Sequence, residues 1–240
     1  MKKLILLFLV IISLAACSKN KSVLLPEATL VDKTEITDIS SAYLFYNLEE
    51  KDTVELNRKN LIISTNWIFN IDKRLKLYQV IPSIKMLQKK KDSNEMHKNE
   101  NARNFFSVNN TDIKNLSFID FTKTEFIFDD GFSKFYIDDN PEEFKGIFPI
   151  TVNFKKDGTI TLNQTPSDRD ELVDFIKEFS SASAMGRTTV LYLNFDKHLT
   201  YQEYITDLTL VKTAIGNSIN LSPMQFIYDE DKLPDCGCTL

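Results

Sequence analysis

Glycine is scarce in this chain, with six among 240 residues. None forms a glycine-rich loop of the kind that cradles a phosphate. Histidine occurs only as His97 and His198, and cysteine only as Cys17, Cys236 and Cys238. No His–Cys cluster has the spacing of a zinc site. Neither histidine stands at catalytic spacing from a serine, cysteine or aspartate. Basic runs are short, and the net charge is -5. Lys89-Lys90-Lys91 is the strongest run and reads as a solvated helix end, so nucleic-acid binding has no support. Beyond the first residues no apolar segment is long enough to cross a bilayer. Asp129-Asp130-Gly131 lacks the ligand spacing of a calcium loop. Asp138-Asp139 with Glu142-Glu143 reads as a solvated turn, not a paired-carboxylate site. No cofactor is expected, and neither is an enzyme.

What is present begins at the N-terminus. Met1-Lys2-Lys3 precedes an apolar run from Leu4 to Leu14, closed by Ala15-Ala16-Cys17. A basic start, a short apolar stretch and small residues at the end make a secretory signal, not a structural helix. Leu14-Ala15-Ala16-Cys17 resembles a bacterial lipobox. That resemblance implies removal of residues 1–16 and attachment of lipid to Cys17, the first residue of the mature chain. Several acyl chains together anchor a protein stably where one does not. Ser18-Lys19-Asn20-Lys21 places no aspartate directly after the cysteine. The expected location is therefore the periplasmic face of the outer membrane. In such an oxidising compartment Cys236 and Cys238, in Asp235-Cys236-Gly237-Cys238, are expected to be oxidised. A ring closed across one residue is strained, which favours a relatively high potential. A redox role stands beside the simpler reading of a tail disulfide or a flexible end.

The composition is that of a globular protein, 42% hydrophobic and 26% charged, with 18 phenylalanines and one tryptophan. It supplies enough apolar mass for one or two cores. Residues 17–25 read as a tether and 231–240 as a C-terminal tail. Lys90 to Asn104 is polar and reads as a linker. Residues 107–147 read as connecting strands and linker, with strand-like patches from Leu116 to Tyr136. From Phe148 the pattern is clearest. Ile150–Phe154 and Thr159–Asn163 alternate apolar and polar residues around Lys155-Lys156-Asp157-Gly158, which predicts a β-hairpin. Thr165-Pro166-Ser167-Asp168 reads as a helix start, followed by Leu172, Phe175, Ile176 and Phe179 on one face. Val190–Leu193 is a strand. Tyr201, Tyr204, Ile205, Leu208, Val211 and Ile215 recur at helical spacing up to Gly216-Asn217. Met224–Tyr228 is a last strand. The order is β-β-α-β-α-β, an α+β fold with two helices on one face of a small sheet.

This order, over residues 148–230, resembles the periplasmic domain of the ExbD/TolR family. The matching residues are Ile150-Thr151-Val152, Lys156-Asp157-Gly158, Thr159–Asn163, Leu172, Leu191-Tyr192-Leu193 with Asp196, Leu199-Thr200-Tyr201 and Val211–Gly216. The family's transmembrane helix and its proton-handling aspartate have no counterpart here, so motor function is not implied. What the resemblance implies is the periplasmic part, which in the family dimerises and contacts partner proteins or peptidoglycan.

A degenerate second copy is expected within residues 26–106. Asn70-Ile71-Asp72-Lys73-Arg74-Leu75 parallels Asn194-Phe195-Asp196-Lys197-His198-Leu199, and Leu77, Ile81, Ile84 and Leu87 follow like Tyr201, Ile205, Leu208 and Val211. The preceding strand would be Leu61–Ile63 or Trp67–Phe69, and Pro82 would kink the helix. Chance similarity of two amphipathic helices is the competing reading. Two copies would form an intramolecular pseudo-dimer, one copy a homodimer. The expected function is a non-catalytic, lipid-anchored envelope protein that binds a partner of a TonB/Tol-type energy-transducing system or peptidoglycan. A thiol–disulfide protein acting through Cys236 and Cys238, and a small-ligand-binding lipoprotein, are the alternatives.

Overall fold

Parallel strands need long crossovers, usually helical, and this chain uses that solution twice. The computed structural model describes residues 21–50, 52–93, 99–128 and 131–233. Among them lie two mixed β-sheets and four α-helices, an α+β fold. No helix among the described residues is long and apolar enough to cross a membrane.

The first sheet contains β1 (Glu27–Ala28), β2 (Ile39–Tyr46), β3 (Val54–Asn57), β4 (Asn66–Ile71), β5 (Asn104–Asn110) and β6 (Asn115–Asp120). β2, β4 and β5 are parallel, and helix α1 (Leu77–Asp92) carries the crossover from β4 to β5. β3 pairs antiparallel with β2, and β6 with β5. β4 pairs with Asn104–Phe106 only, and β1 takes over at Asn109 and Asn110. The N-terminal segment thus fills the gap where β4 and β5 part.

The second sheet contains β7 (Glu125–Phe128), β8 (Ile147–Phe154), β9 (Ile160–Leu162), β10 (Thr165–Ser167), β11 (Thr188–Asp196) and β12 (Ile219–Tyr228). Its order is β10-β9-β8-β11-β12-β7. β8, β11, β12 and β7 are parallel, and β9 is antiparallel to β8. The other helices are α2 (Ser133–Asp139), α3 (Leu172–Ser183) and α4 (Tyr201–Lys212). The two sheets share a plan. A strand with an antiparallel hairpin partner (β2 with β3, β8 with β9) lies beside a central strand (β4, β11), then a helix (α1, α4) and a further parallel strand (β5, β12).

Several boundaries differ from the sequence reading. Thr165-Pro166-Ser167 forms edge strand β10, and α3 starts only at Leu172. A proline is tolerated on an edge strand because no ladder bond has to be donated there. Ser133–Tyr136 is helical, not strand. α3 runs on through Ser183, and α4 stops at Lys212. Pro82 stays inside an unbroken α1. It lies only in the second turn, where little of the bonding ladder has yet formed. Lys91 is buried, unlike Lys89 and Lys90. Its ammonium lies 5.0 Å from the Trp67 ring centroid and donates to Asn104 Oδ1 at 2.9 Å. Burial pulls its pKa down to about 8. The Asp157-Gly158 turn closes the β8–β9 hairpin, with Gly158 at φ 87°.

Helix α4 joins the two sheets. Tyr201, Tyr204, Ile205, Leu208 and Val211 are buried, and so are Asp207 and Thr209. Only Glu203 and Thr206 are exposed, and a helix buried over most of its circumference belongs to a core between layers. Phe106 of β5 stacks on Phe121 at 3.8 Å and meets Tyr201 and Tyr204 edge-on at 5.7 and 6.2 Å. Tyr204 meets Phe195 of β11 at 4.9 Å, and Phe195 stacks on Phe154 of β8 at 5.1 Å. This aromatic chain makes one apolar core out of both sheets. The far face of the second sheet is covered separately, where Phe144, Tyr192 and Phe226 pack with Tyr136 and Ile137 of α2.

Burial also sets a pH dependence. Asp207 is buried, and desolvation pushes its carboxyl up to about 6, although Arg169 bonds to it and opposes the shift. A folded-state value above the ordinary 3.8 means that folding favours the protonated form. Stability is therefore full below about pH 4 and falls as the pH rises through 6. The expected loss is on the order of 3 kcal/mol. Asp207→Asn should flatten this slope in urea titrations between pH 4 and 7. An unchanged slope would assign it to other groups.

Candidate functional site

β4 and β11 end alike, in Asn70-Ile71 with Asp72 next and in Asn194-Phe195-Asp196. Each aspartate leaves its strand and turns its carboxylate onto the backbone two residues on, a turn that aspartate favours. Asp72 Oδ1 accepts from Arg74 N–H at 3.1 Å, and Asp196 Oδ1 from His198 N–H at 2.7 Å. The following residues of the two halves then bond to each other. Leu77 N–H donates to Leu199 O at 3.0 Å, and Tyr201 N–H to Leu75 O at 2.7 Å. Tyr78 N–H donates to Lys197 O at 3.0 Å, and Gln202 N–H to Lys73 O at 3.2 Å. Lys76 and Thr200 form an antiparallel bridge at the centre. The exchange is reciprocal, as across a two-fold axis. It satisfies N–H groups in the first turns of α1 and α4, which have no partner within their own helices.

The two aspartates differ in what else they hold. Asp72 also accepts from Arg74 Nε at 2.8 Å, Arg74 Nη2 at 2.9 Å and Leu24 N–H at 3.1 Å. Burial raises its pKa, but the Arg74 and Leu24 bonds outweigh this and hold it below the ordinary value. Asp196 Oδ1 also meets His198 Nδ1 at 3.0 Å, while Asp196 Oδ2 and the Tyr201 hydroxyl are buried without a hydrogen-bond partner among the described residues. A carboxylate behind an imidazole can orient a general base. Arg74 occupies the matching place beside Asp72, and a guanidinium stays protonated. The feature common to both halves is the turn, and that is the role assigned to Asp196 and His198.

Around the C-terminal ends of β8, β11 and β12 charges are paired. Lys155 meets Glu230 at 3.2 Å, Lys156 meets Asp231 at 3.3 Å, and Lys197 meets Asp229. Asp138 and Asp139 are exposed, as are Glu142 and Glu143, which bond to Lys145 and Tyr136. A buried polar network fixes α2 on the second sheet. Asn194 Oδ1 accepts from Ser133 N–H at 2.8 Å, and Asn194 Nδ2 donates to Asn153 Oδ1 at 2.7 Å. Asn153 Nδ2 continues to Thr161 Oγ1 at 2.8 Å. Nothing in the sequence pattern marks these residues apart from their place at polar positions of strands. Among the described residues no three His, Cys, Asp or Glu side chains cluster as metal ligands. Cys17, Cys236, Cys238, His97, Asp129 and Asp130 lie outside the described residues.

No protein family, curated protein or solved structure matches this chain.

The surfaces with binding geometry lie at sheet edges. β7 ends the second sheet, and beyond its ladder to β12 no backbone group of Glu125–Phe128 has a backbone partner among the described residues. Beside it runs a 660 Å³ groove lined by Lys85, Gln88, Lys89 and Asp92 of α1 and by Lys123 and Glu125. Gln88 Nε2 donates to Thr124 O at 2.9 Å and sets the spacing of helix and strand. At the other end of that sheet, β10 is an edge strand in which Pro166 removes one N–H donor.

Proposed function

We propose that this chain is a non-catalytic lipoprotein of a bacterial cell envelope, anchored through Cys17 and holding a protein partner or peptidoglycan. The anchoring half rests on the order of basic start, apolar run and Leu-Ala-Ala-Cys. The binding half rests on the unpaired outer edge of β7 beside a lysine-lined groove. An extended segment adds to such an edge through main-chain bonds, and the groove selects its side chains. Lys85, Lys89 and Lys123 outnumber Asp92 and Glu125 in the groove, which favours a partner segment that carries acidic groups. The resemblance of residues 148–230 to the ExbD/TolR periplasmic domain agrees with a partner of a TonB/Tol-type system.

Two measurements test this reading. Intact-mass analysis and fractionation should find acyl chains on a chain that begins at Cys17, in the membrane fraction. Cys17→Ser should carry no lipid. A wild-type chain that is soluble and without lipid would remove the anchor. For binding, the lipid-free mature chain should retain an envelope protein or peptidoglycan fragments from an envelope extract. A variant with Lys85, Lys89 and Lys123 changed to Glu should lose at least tenfold of that retention. Equal retention by both would exclude the groove. Reductase activity that disappears when Cys236 and Cys238 are replaced, with no partner retained, would favour a thiol–disulfide role.

A further inference from the structure

The N-terminal segment is docked, not trailing. Lys21 Nζ lies 2.5 Å from Glu55 of β3, Leu24 bonds to Asp72 and Lys73 at the end of β4, and Asn109 N–H of β5 donates to Pro26 O at 2.8 Å. The segment therefore crosses the end of the first sheet where its parallel strands finish. Between Cys17 and Lys21 stand only Ser18, Lys19 and Asn20. Four residue steps reach about 14 Å when fully extended. A chain held by lipid on Cys17 must keep this end of the sheet within that distance of the headgroups.

The surface at this end is suited to that position. Leu24 is 46% exposed, Leu116 42% and Ile113 52%. Leu24 and Leu116 line a common 430 Å³ cleft with Lys73 and Glu27, which pair at 2.9 Å. Ile113 sits in the turn of the β5–β6 hairpin, next to the exposed Lys114. Single exposed apolar side chains are ordinary, whereas grouped ones mark contact surfaces. Leucine and isoleucine rimmed by Lys114 and the Lys73–Glu27 pair match a headgroup boundary, where the apolar ends enter the acyl region and the charged groups stay among the headgroups.

We propose that the anchored chain rests on the bilayer through Leu24, Ile113 and Leu116, with the strand ends of the first sheet facing the membrane. The proposal rests on the lipid anchor at Cys17. Three side chains would bind weakly alone. The anchor raises their effective concentration at the surface, so that they set orientation and not retention.

The test uses the lipidated full chain in vesicles of phosphatidylethanolamine whose acyl chains carry bromine, a contact quencher of tryptophan. The native Trp67 is fully buried and gives a constant background. Leu116→Trp should lose at least half of its added fluorescence. Met185→Trp, at a site 88% exposed just before β11, should lose little. Ile113→Trp gives a second probe should Leu116→Trp fail to fold. Equal quenching at residues 113 or 116 and at residue 185 would overturn the orientation. So would no quenching at residues 113 and 116 in protein that still floats with the vesicles. Absence of lipid on Cys17 by intact mass would remove the anchor, and this inference with it.

Discussion

Replacing Asp72 by alanine should destabilise the fold by about 3–5 kcal/mol, the range for removing one partner of a buried ion pair. Its carboxylate is fully buried and collects four bonds, three from Arg74 and one from the Leu24 N–H. The substitution leaves the Leu24 N–H without its acceptor and frees the turn that leads into α1. Arg74 is half exposed and can return to water, which places the cost nearer the lower figure. Asp196→Ala should cost less, because Asp196 Oδ2 has no partner among the described residues and its release ends a desolvation penalty. Urea unfolding of the two variants measures the difference. Equal losses would mean that only the turn matters. The pH dependence has a definite sign as well. The folded-state pKa of Asp72 lies below the ordinary 3.8. Its contribution is full above that value and is lost as the pH falls through the lower one, opposite to Asp207.

Phe106→Ala should be of similar size, about 3–5 kcal/mol. Phe106 is fully buried and touches Phe121, Tyr201 and Tyr204, so it couples the first sheet to α4. The cavity would open among rigid rings that cannot close in. Phe106→Leu keeps most of the volume and should recover more than half of the loss. Thermal unfolding of both variants checks this. A loss below about 1 kcal/mol for the alanine variant would show that the rings rearrange.

The parts of the fold set by short-range chemistry were legible. Asp157-Gly158 closes its hairpin because the turn needs a positive φ. The capping box between Thr200 and Glu203 at the start of α4 is an equally local signal that the sequence reading passed over. The paired Asn-x-Asp ends of β4 and β11 were visible as a repeated string. Their bonding to each other was not, because main-chain contacts between distant segments leave no side-chain pattern. Thr165-Pro166 carries signals of a helix start and of an edge strand alike, and its neighbour β9 decided the outcome. Lys91 looked like its neighbours Lys89 and Lys90. Only the helical phase, which turns it toward Trp67, separates them. For the candidate binding edge, alternation identified β7 as a strand, but its place at the sheet margin depends on pairing with β12, a hundred residues away in the chain.

The reciprocal bonds between Leu75–Tyr78 and Leu199–Gln202 have a further consequence. Neither half can complete its helix start without the other, and Tyr201 and Tyr204 of α4 would lose their cover from Phe106 if the first sheet left. Two similar units in one chain ordinarily melt in two steps. Here their melting is linked, and calorimetry should record a single cooperative transition whose van't Hoff enthalpy equals the total heat.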